Sequence, residues 1–408
     1  MSTSDKSTLI IHHPYTPPED FLAPQPGIYK ASTVFFPTVA AMRSREWKDK
    51  TAYTYGLHGT PTTYVLEERL CTLEGGLQCL LVPSGLAAIS LVDLSLLTHG
   101  DDIFIPDNAY SPNKALAEVE LKGWGVTHQV YDPMNPEDLA RRIGPRTRVV
   151  WLEAAGSMTL EFPDVCELVR ICRQANNGRG VVSVLDNTWG AGLAFNPFDL
   201  NGDTSLSVDI SIHALTKYPS GGGDVLMGSV ITRNHALHTR LKLTHMRLGL
   251  GVGANDAELL LRSLPNLTLR YTAHDRAART LANWCLGRSE FAQVLHPALP
   301  NSPGHAHWSA LCGTELGRAA GLFSVVFDPC YSQSQVDAFC NALHLFKLGY
   351  SWGGPISLVS PCDLASARQT WPTHVAAGCL VRFSVGLEQV EDLQADLAQA
   401  LDQCIKSA

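Results

Sequence analysis

Between about residues 78 and 232, short runs of apolar and β-branched residues alternate with stretches of helical period, and most runs stop at a polar or small residue. The runs cover 78–82, 102–105, 126–131, 149–153, 181–185, 208–212 and 225–231. They are apolar on both faces, as strands buried between two helix layers are. The pattern predicts an α/β fold with a doubly wound, mostly parallel sheet. Ligands of such sheets sit beyond the carboxyl ends of the strands, so the residues just after each run are the candidates for chemistry.

The flanks read differently. Residues 1–61 are rich in Pro, aromatic and turn residues and lack a period long enough to build a core. After about residue 262 come a helical stretch over 276–286, isolated β runs at 321–327 and 380–385, and a final amphipathic helix over 387–405. Three parts are expected: an arm over 1–61 that packs on another surface, a large α/β domain over 62–262, and a smaller α+β domain over 263–408.

Composition narrows the field. With 408 residues, 45% hydrophobic and 17% charged, and with Gly and Pro spread throughout, the chain is globular rather than disordered, collagen-like or coiled-coil. Lys plus Arg number 31 against 39 Asp plus Glu, a net charge of −8, with no run of like charge. That argues against nucleic acid or an anionic membrane as partner. No apolar run is long enough to span a bilayer, and residues 1–20 lack the basic and apolar regions of a signal peptide. The 11 cysteines are scattered, none in a CxxC pair, and read as mostly buried reduced thiols of a cytoplasmic protein. The histidines are too dispersed for a zinc site, and the sequon at Asn266 carries no weight without secretion.

The chemistry-bearing segments lie at the ends of the runs. Lys217 follows a run and precedes the triplet Gly221-Gly222-Gly223, where an amine could condense with an aldehyde or simply be a solvated loop lysine. Asp186 ends the run 181–185, 31 residues earlier, with room between for one helix and one strand; it could protonate a heterocyclic nitrogen or merely form a turn. Ser84-Gly85-Leu86 opens a helix after a strand, and the free N–H groups of such a start bind anions, although this is neither a Walker nor a dinucleotide loop. Tyr110 offers a flat ring at the same edge. Arg382, inside an alternating strand, needs a carboxylate partner if its face is covered, supplied by a ligand or by an internal salt bridge. Trp352, in Tyr350-Ser-Trp-Gly-Gly354, could donate an indole N–H or be an ordinary packed ring. An imine-forming lysine, a carboxylate, a stacking ring, a phosphate-binding helix start and an arginine for an α-carboxylate together describe pyridoxal 5′-phosphate chemistry on an amino acid.

Over nearly its whole length the sequence resembles the Cys/Met-metabolism branch of fold-type I pyridoxal-phosphate enzymes, and within it the bacterial cystathionine β-lyases. The resemblance is carried by Tyr53-Thr-Tyr-Gly-Leu-His-Gly-Thr-Pro-Thr62, Leu73-Glu-Gly-Gly76, Ser84-Gly85, Asn108-Ala-Tyr110, Leu152-Glu-Ala-Ala-Gly-Ser157, Asp186-Asn-Thr-Trp189, Thr216-Lys217-Tyr218, the 350–354 loop and Arg382. It implies that Lys217 bonds to the cofactor aldehyde, Asp186 pairs with the pyridinium nitrogen, and Tyr110 stacks on the ring and assists catalysis. Thr216 and the N–H groups of Gly85 and Leu86 would bind the phosphate. Tyr55 would reach the phosphate of a neighbouring subunit, and Arg382 with Trp352 would hold the substrate carboxylate. It also implies a homodimer at minimum, commonly a homotetramer.

Gly156-Ser157 and Trp352 resemble the β-lyases rather than the γ-acting members. The expected reaction is therefore α,β-elimination of L-cystathionine to homocysteine, pyruvate and ammonia, a step of methionine biosynthesis. The alternatives are a cysteine or S-substituted-cysteine desulfhydrase, a γ-lyase or γ-synthase, and an inactive cofactor-binding scaffold. Three positions depart from the family pattern. Leu57 replaces a phosphate-binding Arg, with His58 adjacent as a possible substitute; Ala214 replaces a Ser; and Gly222 replaces a His.

Overall fold

The computed structural model describes residues 23–44, 50, 52–178 and 180–405. Residues 1–20, read above for a signal peptide, lie outside them, as does much of the arm. Seven strands form the first sheet: β1 Gln78–Val82, β2 Asp102–Pro106, β3 Thr127–Tyr131, β4 Thr147–Glu153, β5 Val182–Asp186, β6 Ile210–Ala214 and β7 Gly228–Thr232. Their order is β1-β7-β6-β5-β4-β2-β3, and β7 alone runs against the other six. The doubly wound α/β expectation holds.

Alternation within the strands explains the apolar runs. Val149 and Trp151 of β4 face a core shared with the helix Gly85–Leu96, whereas Val150 and Leu152 face the opposite core beneath the helices Pro61–Glu74 and Val165–Gly178. Both faces are covered, so the strands are mostly apolar, and the polar residues inside them are buried with partners: Ser183 bonds to Asp209, and Ser211 and His213 to Glu74. The helices start where the sequence supplies caps: Thr60 before Pro61 and Thr63 in the first turn form a reciprocal capping box, and Ser84 caps the helix that follows β1.

A second sheet, β10-β11-β12-β9-β8, is built from β8 Phe291–Leu295, β9 Leu322–Phe327, β10 Lys347–Leu348, β11 Leu358–Cys362 and β12 Leu380–Ser384. Its core joins Phe323, Phe327, Val381 and Phe383 to the helices Leu267–Leu286, Gln333–Ala342 and Val390–Cys404. The two sheets are tied beside Lys217, where Gly321 N–H donates to the Tyr218 hydroxyl at 2.8 Å.

Several expectations need correction. No helix lies between Asp186 and Lys217: residues 187–209 cross from β5 to the parallel β6 as successive turns, because Gly190, Gly192, Pro197 and Gly202 interrupt any helical period. The strand expected over 225–231 starts only at Gly228, since Leu226 is exposed. The helix expected over 276–286 begins at Leu267, because Pro265 sits in the tight turn Leu264–Asn266 that feeds it and does not end it. The final helix is Val390–Cys404, shorter at both ends. Within residues 1–61, the helix Val39–Ser44 and the turn Gly56–His58 are regular. Of the 11 cysteines, Cys71, Cys79, Cys166, Cys172, Cys285, Cys312 and Cys340 are buried and all are free thiols. Among the described residues no helix is long and apolar enough to cross a membrane, and no group of three or more His, Cys, Asp or Glu could hold a metal.

Candidate active site

Strand ends, one helix start and one strand of the second sheet converge at the carboxyl edge of the first sheet. Asp186 is the last residue of β5, in register with Ile212 of β6 and Glu153 of β4. Its Oδ1 accepts Thr188 N–H at 3.0 Å, while Thr188 Oγ1 accepts Ala214 N–H at 2.9 Å, so Thr188 locks the two strand ends together. Burial pushes the Asp186 carboxyl above its ordinary value, opposed by the Thr188 hydrogen bonds and by nearby His213 and Lys217.

Lys217 stands on the turn after β6, its N–H bonded to Ala214 O at 3.1 Å. Its Nζ donates to Ser351 Oγ at 2.9 Å and lies 4.5 Å from the centroid of the Trp352 ring. Burial, and then the Arg382 guanidinium, bring the amine down to about 8, with Asp186 pulling the other way. Thr216, beside it, donates its N–H to Met227 O at 3.3 Å.

The start of the helix Gly85–Leu96 faces this turn. Ser84 Oγ accepts Ala87 N–H and Ser84 O accepts Ala88 N–H, so the N–H groups of Gly85 and Leu86 keep no acceptor among the described residues. That is the geometry of an anion site. The approach is close: a Cβ on Gly85 would come within 2.6 Å of the Ala214 Cβ, and one on Gly228 within 2.4 Å of Ser84 O. Tyr110, half-exposed after β2, has its N–H fixed by Glu153 Oε2 at 2.8 Å. Burial, with Asp186 and Glu153 nearby, raises the Tyr110 phenol, which therefore stays protonated at neutral pH.

Arg382 reaches the site from β12. Alternation sends Val381 and Phe383 into the second core and leaves Arg382 on the opposite face, buried. Its Nη1 donates to Ser157 O at 2.7 Å and its Nη2 to Tyr350 O at 3.1 Å, and its guanidinium lies 5.1 Å from the Trp352 centroid. Among the described residues no carboxylate pairs with it, so the internal salt bridge is not formed. Trp352 Nε1 is buried and has no hydrogen-bond partner among the described residues.

Asp186, Lys217, Thr216, Gly85, Leu86, Tyr110, Trp352 and Arg382 thus belong to one cluster. Tyr55 makes its contacts elsewhere: it is exposed, forms an isolated bridge with Thr33 and meets the His58 ring edge-on. His58 bonds to Thr54 Oγ1 at 2.8 Å, and burial together with Lys242 lowers its pKa, so it does not reproduce the fixed charge of an arginine at position 57. Sequence reasoning did not assign Glu153, Ser351 or the carbonyls of Ser157 and Tyr350. Only Glu153, a carboxylate ending a strand, carried a readable signal.

Over residues 7–402 the chain matches the family described as Cys/Met metabolism PLP-dependent enzyme. It is 37% identical to a cystathionine β-lyase of Bordetella avium across 92% of this chain and 91% of that protein. It is 30% identical to an L-methionine γ-lyase of Pseudomonas deceptionensis across 97% and 96%. Its structure is similar to a cystathionine γ-synthase from Xanthomonas oryzae pv. oryzae in complex with cystathionine, with a TM-score of 0.80 at 27% identity over 94% of both chains. The architecture is that of fold-type I enzymes, the cofactor is pyridoxal 5′-phosphate, and the chain belongs to the Cys/Met metabolism PLP-dependent enzymes.

Proposed function

We propose that the protein is a carbon–sulfur lyase that performs α,β-elimination on L-cystathionine, releasing homocysteine, pyruvate and ammonia. The carrying observation is the Lys217–Trp352–Arg382 arrangement, which sets an amine of about 8 beside a buried guanidinium that no carboxylate among the described residues pairs with. Trp352 and the Gly156-Ser157 turn favour β- over γ-elimination, as does the likeness to β-lyases.

The residues suit the cofactor. Two N–H groups at a helix start, unengaged among the described residues, suit a phosphate, a glycine at position 85 lets that start pack closely on Ala214 at the end of β6, and Asp186 suits a pyridinium nitrogen. Thr216 would add a hydroxyl to the phosphate site. When bound, pyridoxal 5′-phosphate supplies a sink for the electron pair left at the substrate Cα. Arg382 binds the substrate α-carboxylate through the donors that Ser157 and Tyr350 leave free. Lys217, partly neutral near pH 8, takes the Cα proton and returns a proton towards the departing sulfur. Tyr110, held protonated, would pack on the cofactor ring and would act only as a donor.

The same reading makes residues 1–61 an arm, 62–262 the cofactor-binding domain and 263–408 a substrate-covering domain. It has Tyr55 serve a neighbouring subunit of a homodimer or homotetramer in the cytoplasm. Product analysis with L-cystathionine tests the function: pyruvate and homocysteine support it, and 2-oxobutyrate and cysteine refute it. Lys217→Ala should abolish both turnover and the visible absorbance of the bound cofactor.

A further inference from the structure

Behind the Ser157 carbonyl lies a buried charge pair that takes no part in the steps above. Glu161 is fully buried and Arg368 nearly so, with side-chain exposures of 0% and 5%. Arg368 Nη2 donates to Glu161 Oε1 at 2.6 Å and also to the Thr159 hydroxyl, which itself bonds to Glu161 Oε2. The other guanidinium nitrogen lies 3.9 Å from Asp107 Oδ2, and His374 Nε2 is 3.7 Å from Glu161 Oε1. Burial opposes ionisation of Glu161, but Arg368 and His374 outweigh it and hold the carboxyl well below its usual range.

The pair joins two distant pieces of chain. Glu161 closes the turn 156–161, where Gly156 N–H donates to Glu161 O at 3.0 Å and Leu160 N–H to Gly156 O at 3.1 Å. A Cβ on Gly156 would sit 2.8 Å from Glu161 Oε2, so the carboxylate lies directly under the turn. Arg368 follows the short helix Leu364–Ala367, between β11 and β12. Lys114 pins the same segment by donating to Ala367 O, and Gln369 N–H donates to Asp107 Oδ1 at 3.2 Å. The turn in turn presents Ser157 O to Arg382 at 2.7 Å.

A buried ion pair is rarely more stabilising than apolar residues of the same volume, and its best-attested use is to fix one arrangement. We propose that the Arg368–Glu161 pair positions Arg382: it holds the 156–161 turn so that Ser157 O fixes one edge of the guanidinium and aims the remaining N–H donors at the carboxylate of an incoming α-amino acid. Arg368 and Glu161 are positioning residues for substrates bearing an α-carboxylate. The inference rests on the reading of Arg382 as the carboxylate site.

The test compares two probes on the cofactor-loaded enzyme, L-alanine and ethylamine, which share the amine but differ in the carboxylate. Binding is read from the change in cofactor absorbance. Arg368→Lys keeps the charge and loses the planar fork. It should weaken L-alanine roughly tenfold, as expected for a misaligned charge-assisted hydrogen bond, while leaving ethylamine binding and cofactor affinity unchanged. Unchanged L-alanine binding, or equal weakening of both probes, overturns the positioning role. Arg382→Lys is the reference. If it too leaves L-alanine unaffected, the carboxylate reading is wrong and the positioning role falls with it. If it weakens L-alanine while Arg368→Lys does not, only the positioning role fails. Should Arg368→Lys not fold, the double variant Glu161→Gln/Arg368→Gln, which removes both buried charges together, is judged by the same two probes.

Discussion

Lys217 Nζ and the Arg382 guanidinium contact the same Trp352 ring, at 4.5 and 5.1 Å from its centroid. Each contact is attractive by about 0.5–2 kcal/mol, yet the two cations repel each other across the indole. Burial first, and then this repulsion, make the amine give up its proton more readily.

Only the neutral amine of Lys217 adds to an aldehyde, so capture of pyridoxal 5′-phosphate by cofactor-free protein should rise with pH to a midpoint near 8. Arg382 disfavours the ammonium, so Arg382→Gln should raise the amine pKa and move that midpoint upward. Burial, the largest cause, remains, so the midpoint should stay below the ordinary lysine value of 10.5. Stopped-flow absorbance across pH 6–10 measures this, and a midpoint that stays put or falls contradicts the electrostatic account.

The helix start at Ser84 depends on a missing side chain one strand away. In Gly228→Ala the new Cβ would meet Ser84 O at 2.4 Å and displace the turn carrying the free N–H groups of Gly85 and Leu86. Overpacking of this kind costs about 1–3 kcal/mol, so cofactor affinity should drop roughly tenfold or more with unchanged far-ultraviolet circular dichroism. Equilibrium dialysis against pyridoxal 5′-phosphate reads the loss. Unaltered affinity would mean that the helix start does not hold the phosphate.

Asp93, buried in the helix Gly85–Leu96, accepts the Trp151 indole N–H at 3.0 Å through Oδ1, while its Oδ2 has no partner among the described residues. Burial pushes its carboxyl up to about 7, with the indole hydrogen bond opposing. Because the folded protein binds this proton more tightly than the unfolded chain, the group's stabilisation is fully present below about pH 4 and is lost as pH rises to about 7. Asp93→Asn keeps the Oδ1 acceptor and removes the titration. At pH 7.5 it should stabilise the protein by ~1–4 kcal/mol and flatten the pH dependence of urea unfolding between pH 4 and 7. A variant less stable than the parent at pH 7.5 would falsify this.

Much of the first sheet was legible because β4 and its neighbours are buried on both faces, leaving apolar runs that end at polar site residues. Arg382 was legible because a charge inside an alternating strand has to be explained, and Lys217 because a glycine triplet follows it. The missed parts have equally physical reasons. β11 contains Ser360 and Pro361 and hardly looks like a strand. Pro265 reads as a helix stop but occupies a first turn, where its missing N–H does no harm. Arg368 and Glu161 meet across 207 residues, and nothing local to either signals the other. The carbonyls that hold Arg382 belong to the backbone and leave no trace in residue identity.

The hydrogen bond from Gly321 N–H to the Tyr218 hydroxyl links the residue after Lys217 to the chain entering β9, and β9 is paired with β12, which carries Arg382. The separation of amine and guanidinium is therefore gauged by the protein's own hydrogen bonds, not by whatever molecule lies between them. An amino acid that enters therefore meets an amine and a guanidinium whose spacing is already set.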